Sequence, residues 1–299
     1  TVLRYEYSNQ KMNSFTRTGE PVNIESDYND VFPSLNITYQ LSESINLRAA
    51  YSRTIARPEF RELAPFTYFD FVSNELVQGN LILRRSLITN YDLRFEYYPA
   101  PKELFAVSVF YKKFLNPIEQ VLLSSSAFEP IRSYENAKDA QNYGLEFELR
   151  KSLSFAGSIL NNFSFVGNLA IINSKIEMED RGFQEATRPL QGQADFILNA
   201  GLYYETYNGD LSASLIYNKV GDRIAKVGFA GLGDVIEKSR DQWDFSLSTK
   251  VISGFSFKVA VKDIFAQDIR LIQKTESGDK PAETIKKGQN LSVGFSYGL

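Results

Sequence analysis

Apolar and polar residues alternate with a two-residue rhythm along most of the chain. In "INLRAAYS", Ile45, Leu47, Ala49 and Tyr51 share one parity, and Asn46, Arg48, Ala50 and Ser52 the other. "NYDLRFEYY" sets Tyr91, Leu93, Phe95 and Tyr97 against Asp92, Arg94 and Glu96. "NYGLEFELRK" sets Tyr143, Leu145, Phe147 and Leu149 against Gly144, Glu146, Glu148 and Arg150. The same holds for Phe255, Phe257, Val259 and Val261 against Ser256, Lys258, Ala260 and Lys262. A period of two sends alternate side chains to opposite faces of a β-strand. About twelve such segments occur, near 1–9, 30–41, 45–56, 87–99, 103–115, 139–151, 161–174, 193–205, 209–219, 240–251, 254–265 and 288–298. Most run to nine residues or more, beyond the five or six commonest in soluble strands. A tilted strand that crosses a bilayer needs roughly nine to eleven.

The connections between segments alternate too. Short ones ("SES", "APK", "LSFAGSILNN", "YNG", "SG") take turns with long stretches near 10–29, 57–86, 116–138, 175–192, 220–239 and 266–287. A soluble sandwich has no reason to sort its loops by parity, and no fixed repeat points to a solenoid. An outer-membrane barrel does sort them, because short periplasmic turns alternate with long external loops. The expected fold is therefore all-β: an antiparallel transmembrane β-barrel with about twelve strands present. Each strand would turn its aromatic and aliphatic parity to lipid and its polar parity to the lumen. Arg57 ends the rhythm that begins at Ser44, and Pro58 and Pro65 cannot donate ladder hydrogen bonds.

Composition removes several alternatives. Lys+Arg 33 against Asp+Glu 36 gives a net charge of -3, so no basic face for nucleic acid is expected. The chain has no cysteine and no histidine, which excludes imidazole- and thiolate-based catalysis and the usual zinc sites within it. No catalytic residue, metal or cofactor is expected, and the chain is not read as an enzyme. Aromatic residues make up 14%, more than one soluble core needs. "TVLRYEYSNQ", which starts at Thr1, shows no signal peptide, and the chain starts inside an alternating segment, so a missing N-terminal part is expected.

Four motifs, in order, carry a family resemblance: "TIARPEFRELAP" from Thr54, "ENAKDAQNYGLEFELRK" from Glu135, "RPLQGQADFILNAGLYYE" from Arg188 and "AVKDIFAQDIRL" from Ala260. The chain resembles the barrel of TonB-dependent outer-membrane receptors of the Bacteroidetes type. Such barrels have twenty-two strands around a plugged lumen. The resemblance implies that residues 1–299 are the C-terminal portion, with the plug domain and N-terminal strands absent. It implies active uptake of a nutrient ligand at the bacterial outer membrane, with lipid, the protein's own plug and the TonB energy-coupling complex as partners. A surface lipoprotein is a further candidate partner. Two other readings are a stand-alone passive twelve-strand pore and a barrel that docks an envelope component.

Candidate site residues follow. Phe66, Tyr68, Phe69 and Asp70 in "PFTYFDF" combine aromatics with a polar group, as a ligand platform would, although interfacial rings would look the same. Arg57, Pro58, Phe60, Glu62 and Leu63 match the family motif and are expected to brace the loop on the rim. Arg48, Asp92, Arg94, Glu96, Glu146, Glu148 and Arg150 are expected to face the lumen and contact the plug, with Lys258 and Lys262 on the same parity. Glu177, Glu179, Asp180 and Glu185 lack the spacing of a calcium loop and read as a solvated acidic stretch. "GFAGLGD" near Gly228 lacks the Lys-Ser/Thr of a phosphate loop.

Overall fold

A computed structural model describes residues 1–299 except 16–17, 72–74, 124–130, 178–186, 229–232, 253, 276 and 298–299. The strands are β1 (Val2–Phe15), β2 (Pro21–Ser42), β3 (Ile45–Ala56), β4 (Thr67–Asp70), β5 (Glu75–Gln78), β6 (Ser86–Tyr97) and β7 (Leu104–Leu115). There follow β8 (Ile118–Leu123), β9 (Ile131–Asn136), β10 (Asp139–Ser152), β11 (Phe163–Glu177), β12 (Thr187–Arg188), β13 (Phe196–Glu205) and β14 (Leu211–Val220). The last are β15 (Arg223–Lys226), β16 (Val235–Glu237), β17 (Arg240–Ile252), β18 (Phe255–Lys262), β19 (Ile269–Gln273), β20 (Lys280–Ile285) and β21 (Asn290–Tyr297).

Twelve of these form one antiparallel wall in the order β1-β2-β3-β6-β7-β10-β11-β13-β14-β17-β18-β21. The wall strands follow one another round the sheet in chain order, as expected for an up-and-down barrel, and the remaining strands lie in the connections between them. The wall is open: β1 and β21 stand at its two edges. Short turns lie at one end and long connections at the other.

The two faces of the wall differ as their composition demands. On one face, Ile37, Ala49, Leu93, Val109 and Leu145 follow one another in cross-strand register. Nothing covers them: Leu93 is 62% exposed and Phe295 79%. So broad an uncovered apolar surface is foreign to a water-soluble chain. Aromatics gather toward both ends of this face. Tyr51, Tyr91, Tyr111 and Tyr143 are cross-strand neighbours, with ring centroids 5.2 Å apart for the first pair and 6.2 Å for the second. Tyr217 and Trp243 pair at 4.7 Å farther round the wall, and Phe163–Tyr204 and Phe255–Tyr297 pair near the short turns.

The long connections fold further than the sequence pattern suggests. Of residues 10–29, expected as an external loop, 10–15 belong instead to β1 and 21–29 to β2, which stay paired from Val2↔Ser34 to Phe15↔Pro21. Lys11–Glu25 (2.5 Å) and Asn9–Asp27 (2.6 Å) hold that extension from its sides. Other connections make two small sheets, β4-β5-β9-β8 and β15-β16-β19-β20, joined by a bridge between Val121 and Val227. Among the described residues, the fully buried Val77, Val121 and Val227 lie here, and Leu63, Val77, Leu83 and Tyr134 form one buried cluster, with Tyr68, Met12 and Ile118 packed on it. Of the acidic stretch, Glu177 closes β11, while Glu179, Asp180 and Glu185 lie outside the described residues.

Candidate functional site

The polar face of the wall carries a chain of charges. Arg48 and Arg94 sit directly opposite each other on β3 and β6. Like charges in that position repel. Glu96, two residues on, relieves this by accepting from Arg48 Nε at 2.9 Å and from Arg94 Nε at 2.8 Å. Arg94 Nη2 also donates to Glu148 at 2.7 Å, and Arg150 Nε donates to the other oxygen of Glu148 at 3.0 Å. The Glu96 side chain is only 7% exposed, so both its oxygens need these partners. Asp92 and Glu146 share the face and have no ion partner among the described residues. The expected lumenal residues are thus on one side, five of them in a single alternating network.

Above this face the loop sheets form a canopy. Arg57 donates to Glu6 at 2.7 Å, and Arg85 donates to Asp30 at 2.7 Å while its guanidinium lies 3.8 Å over the Tyr28 ring. The Arg57 hydrogen bond holds the Glu6 carboxyl below its ordinary range. Glu62 accepts from the Glu59 N–H at 2.9 Å, and its carbonyl accepts from the Asn80 N–H at 2.6 Å. Partial burial pushes the Glu62 carboxyl up. Gly79 is crossed so closely that a Cβ there would lie 2.4 Å from the Ala64 nitrogen. Arg188 and Glu119 make an ion pair with side chains 3% and 4% exposed, and Gln191 receives the Gln120 N–H at 2.9 Å. Lys226 and Glu75 join the two loop sheets through a second ion pair.

Between wall and canopy lies a cavity of about 810 Å³. The wall contributes Ser86, Ile88, Phe114 and Asn142, all of the polar parity. The canopy contributes Arg57, Glu62, Tyr134, Gln191, Gln193 and Arg223 among others. Its size and its mix of amides, charges and rings suit a polar small molecule. The amide-bearing lining was not singled out in the sequence. "RPLQGQ" marked the family there, and its side chains gave no separate sign of a site.

The aromatic stretch is split by strand alternation. Tyr68 turns into the loop cluster and Asp70 accepts from Arg132 at 2.8 Å. Phe69 stands on the other side, exposed, with Phe71 5.0 Å away. Phe66 is exposed and meets Tyr68 edge-on at 6.4 Å. In the family motif, Pro58 and Leu63 are buried, whereas Phe60 is exposed.

The family model for TonB-dependent receptor-like β-barrels matches residues 3–264. The chain belongs to that family. Solved receptor barrels share its fold at low identity. The FrpB iron transporter from Neisseria meningitidis has a TM-score of 0.62 and 14% identity, covering 99% of this chain and 42% of its own. The siderophore receptor PirA from Pseudomonas aeruginosa has a TM-score of 0.59 and 17% identity, covering 93% and 45%. A variant of the ferric enterobactin receptor PfeA from the same organism has a TM-score of 0.59 and 16% identity, covering 93% and 42%. The chain spans less than half the length of these receptors. A sequence comparison with curated proteins finds no match.

Proposed function

We propose that this chain is the C-terminal part of an outer-membrane receptor that takes up a nutrient ligand actively. In this reading upstream strands close the wall into a twenty-two-strand barrel, and a plug fills its lumen. The observation that carries the reading is the canopied cavity on the charged face of a wall whose opposite face is apolar and uncovered. Ligand enters from outside, rests between canopy and plug, and passes when the TonB complex rearranges the plug. Of the expected ligand platform, Phe66 and Phe69 are the exposed rings offered to ligand, and Tyr68 and Asp70 anchor the loop beneath them. Arg57, Pro58, Phe60, Glu62 and Leu63 brace the loop on the rim. Asp92 and Glu146, together with the charge chain from Arg48 to Arg150, meet the plug. The names of the structural neighbours make ferric chelates the first ligands to test.

The test is uptake of labelled ferric chelates by cells carrying the complete gene, with and without the energy-coupling complex. Uptake that requires the complex is the expected result. Uptake that persists in its absence and never saturates would mean a passive pore instead.

A further inference from the structure

The lipid-facing side of the wall has a recess where the cross-strand row shrinks. Ala49 stands between Ile37 and Leu93, with Val109 next in the row, and its small side chain opens an apolar groove of about 380 Å³. Tyr51, Tyr91 and Tyr111 rim the groove on the long-loop side. One step beyond those rings the same face turns cationic. Arg53, Thr89 and Lys113 follow each other in cross-strand register. Arg53 and Lys113 are exposed, and neither has an ion or hydrogen-bond partner among the described residues. Two strand spacings put them about 10 Å apart, near enough for both side chains to reach one anion between them. Each lies at the depth where its strand leaves hydrocarbon: Arg53 is nine residues past Ser44 and Lys113 eleven past Lys102, both in the short turns. Roughly nine to eleven residues make one crossing.

An uncovered apolar groove below and unpaired cations above complement a molecule with an acyl chain and an anionic head. We propose that this face binds a phosphate-bearing lipid of the outer leaflet, its acyl chain in the groove at Ala49 and its phosphate between Arg53 and Lys113, beside the Thr89 hydroxyl. Arginine and lysine both suit phosphate, and fixed cations at a membrane surface attract anionic lipid. The site rests on the membrane reading above but is independent of the transported ligand.

The probes are diphosphorylated lipid A and its enzymatically dephosphorylated form, added to the full-length protein in nanodiscs, with retained lipid counted by native mass spectrometry. The wild type is expected to retain the phosphorylated form about tenfold better, with retention falling as salt rises. The double variant Arg53→Gln/Lys113→Gln should lose that preference, and Ala49→Leu should weaken retention of both forms. Heat-modifiable gel mobility shows that each variant is folded, and the salt series on the wild type needs no variant. Equal retention of the two forms by the wild type, salt-independent retention, or full retention by a folded double variant would each overturn the site. Failure of the wild-type barrel to insert at all would instead strike the membrane reading.

Discussion

Phe147 and Glu148 are consecutive, yet they meet different surroundings. Phe147 lies opposite Leu169 on the apolar face, and Glu148 lies opposite Asn168 on the charged face. A lysine at Phe147 would put a charge in hydrocarbon, at about 2–4 kcal/mol near the bilayer midplane. Phe147→Lys should therefore sharply reduce the folded, fast-migrating band on an unheated gel. Asn168→Lys, facing Glu148, should leave that band unchanged. Gly144 shows the same face from within: a Cβ there would sit 2.3 Å from the Ile171 carbonyl oxygen and 2.9 Å from the Phe110 ring. Backbone cannot move aside as a side chain can, so Gly144→Val should impair assembly in the same assay. Glu6 supplies a pH prediction. Its carboxyl is held down by the Arg57 hydrogen bond, so its contribution is present above the ordinary carboxylate range and is lost as pH falls through the lowered value. The loop at 57–86 should become more protease-sensitive as pH falls below the ordinary carboxylate range. Glu6→Gln should flatten that change. Glu62 acts in the opposite sense, since its raised carboxyl favours the loop in acid and loses that contribution as pH rises through its folded value. Were protection to increase smoothly on acidification, the Glu6–Arg57 tie would not be what holds the loop.

Among elements, the twelve wall strands were legible because each has two solvents to satisfy, and a period of two records both. The extension of β1 and β2 past the membrane was not legible. Both of its faces meet water, so polar residues occupy both parities and only cross-strand pairs such as Lys11–Glu25 keep the ladder. The canopy strands were missed for a different reason. Their core joins Leu63, Val77 and Leu83 to Tyr134, a residue from the next long connection. No local rhythm reports such a contact. The same alternation that revealed the wall divided "PFTYFDF", which reads as one cluster in sequence but sends Tyr68 inward and Phe69 outward. The Arg188–Glu119 pair joins two loop segments that sequence spacing could not connect. Removing one partner of a buried pair strands the other charge, typically at about 3–5 kcal/mol. Glu119→Leu should therefore expose the canopy to external protease while the wall remains folded. The double change Glu119→Leu/Arg188→Met should restore much of the protection, because no charge is then left unpaired.

For the whole molecule, the division of labour follows from what each surface touches. In the proposed receptor, upstream strands close the ladder and lipid rather than a central core covers the apolar face, while the charged face, with its network from Arg48 to Arg150, lines the lumen. The canopy has its own small cores and so can hold a shaped cavity over that lumen. The absence of cysteine in these residues makes the most direct test simple, since each introduced cysteine is the only label site they offer. A fluorophore would be placed in the full-length protein at Leu93, Phe147 or Val259, or at Asn168, Ser246 or Ser256, and the protein reconstituted with brominated lipid. Strong quenching at the first three positions and little at the second three is the expected result. Equal quenching in the two sets, or the reverse order, would contradict a wall with lipid on one side and a filled lumen on the other.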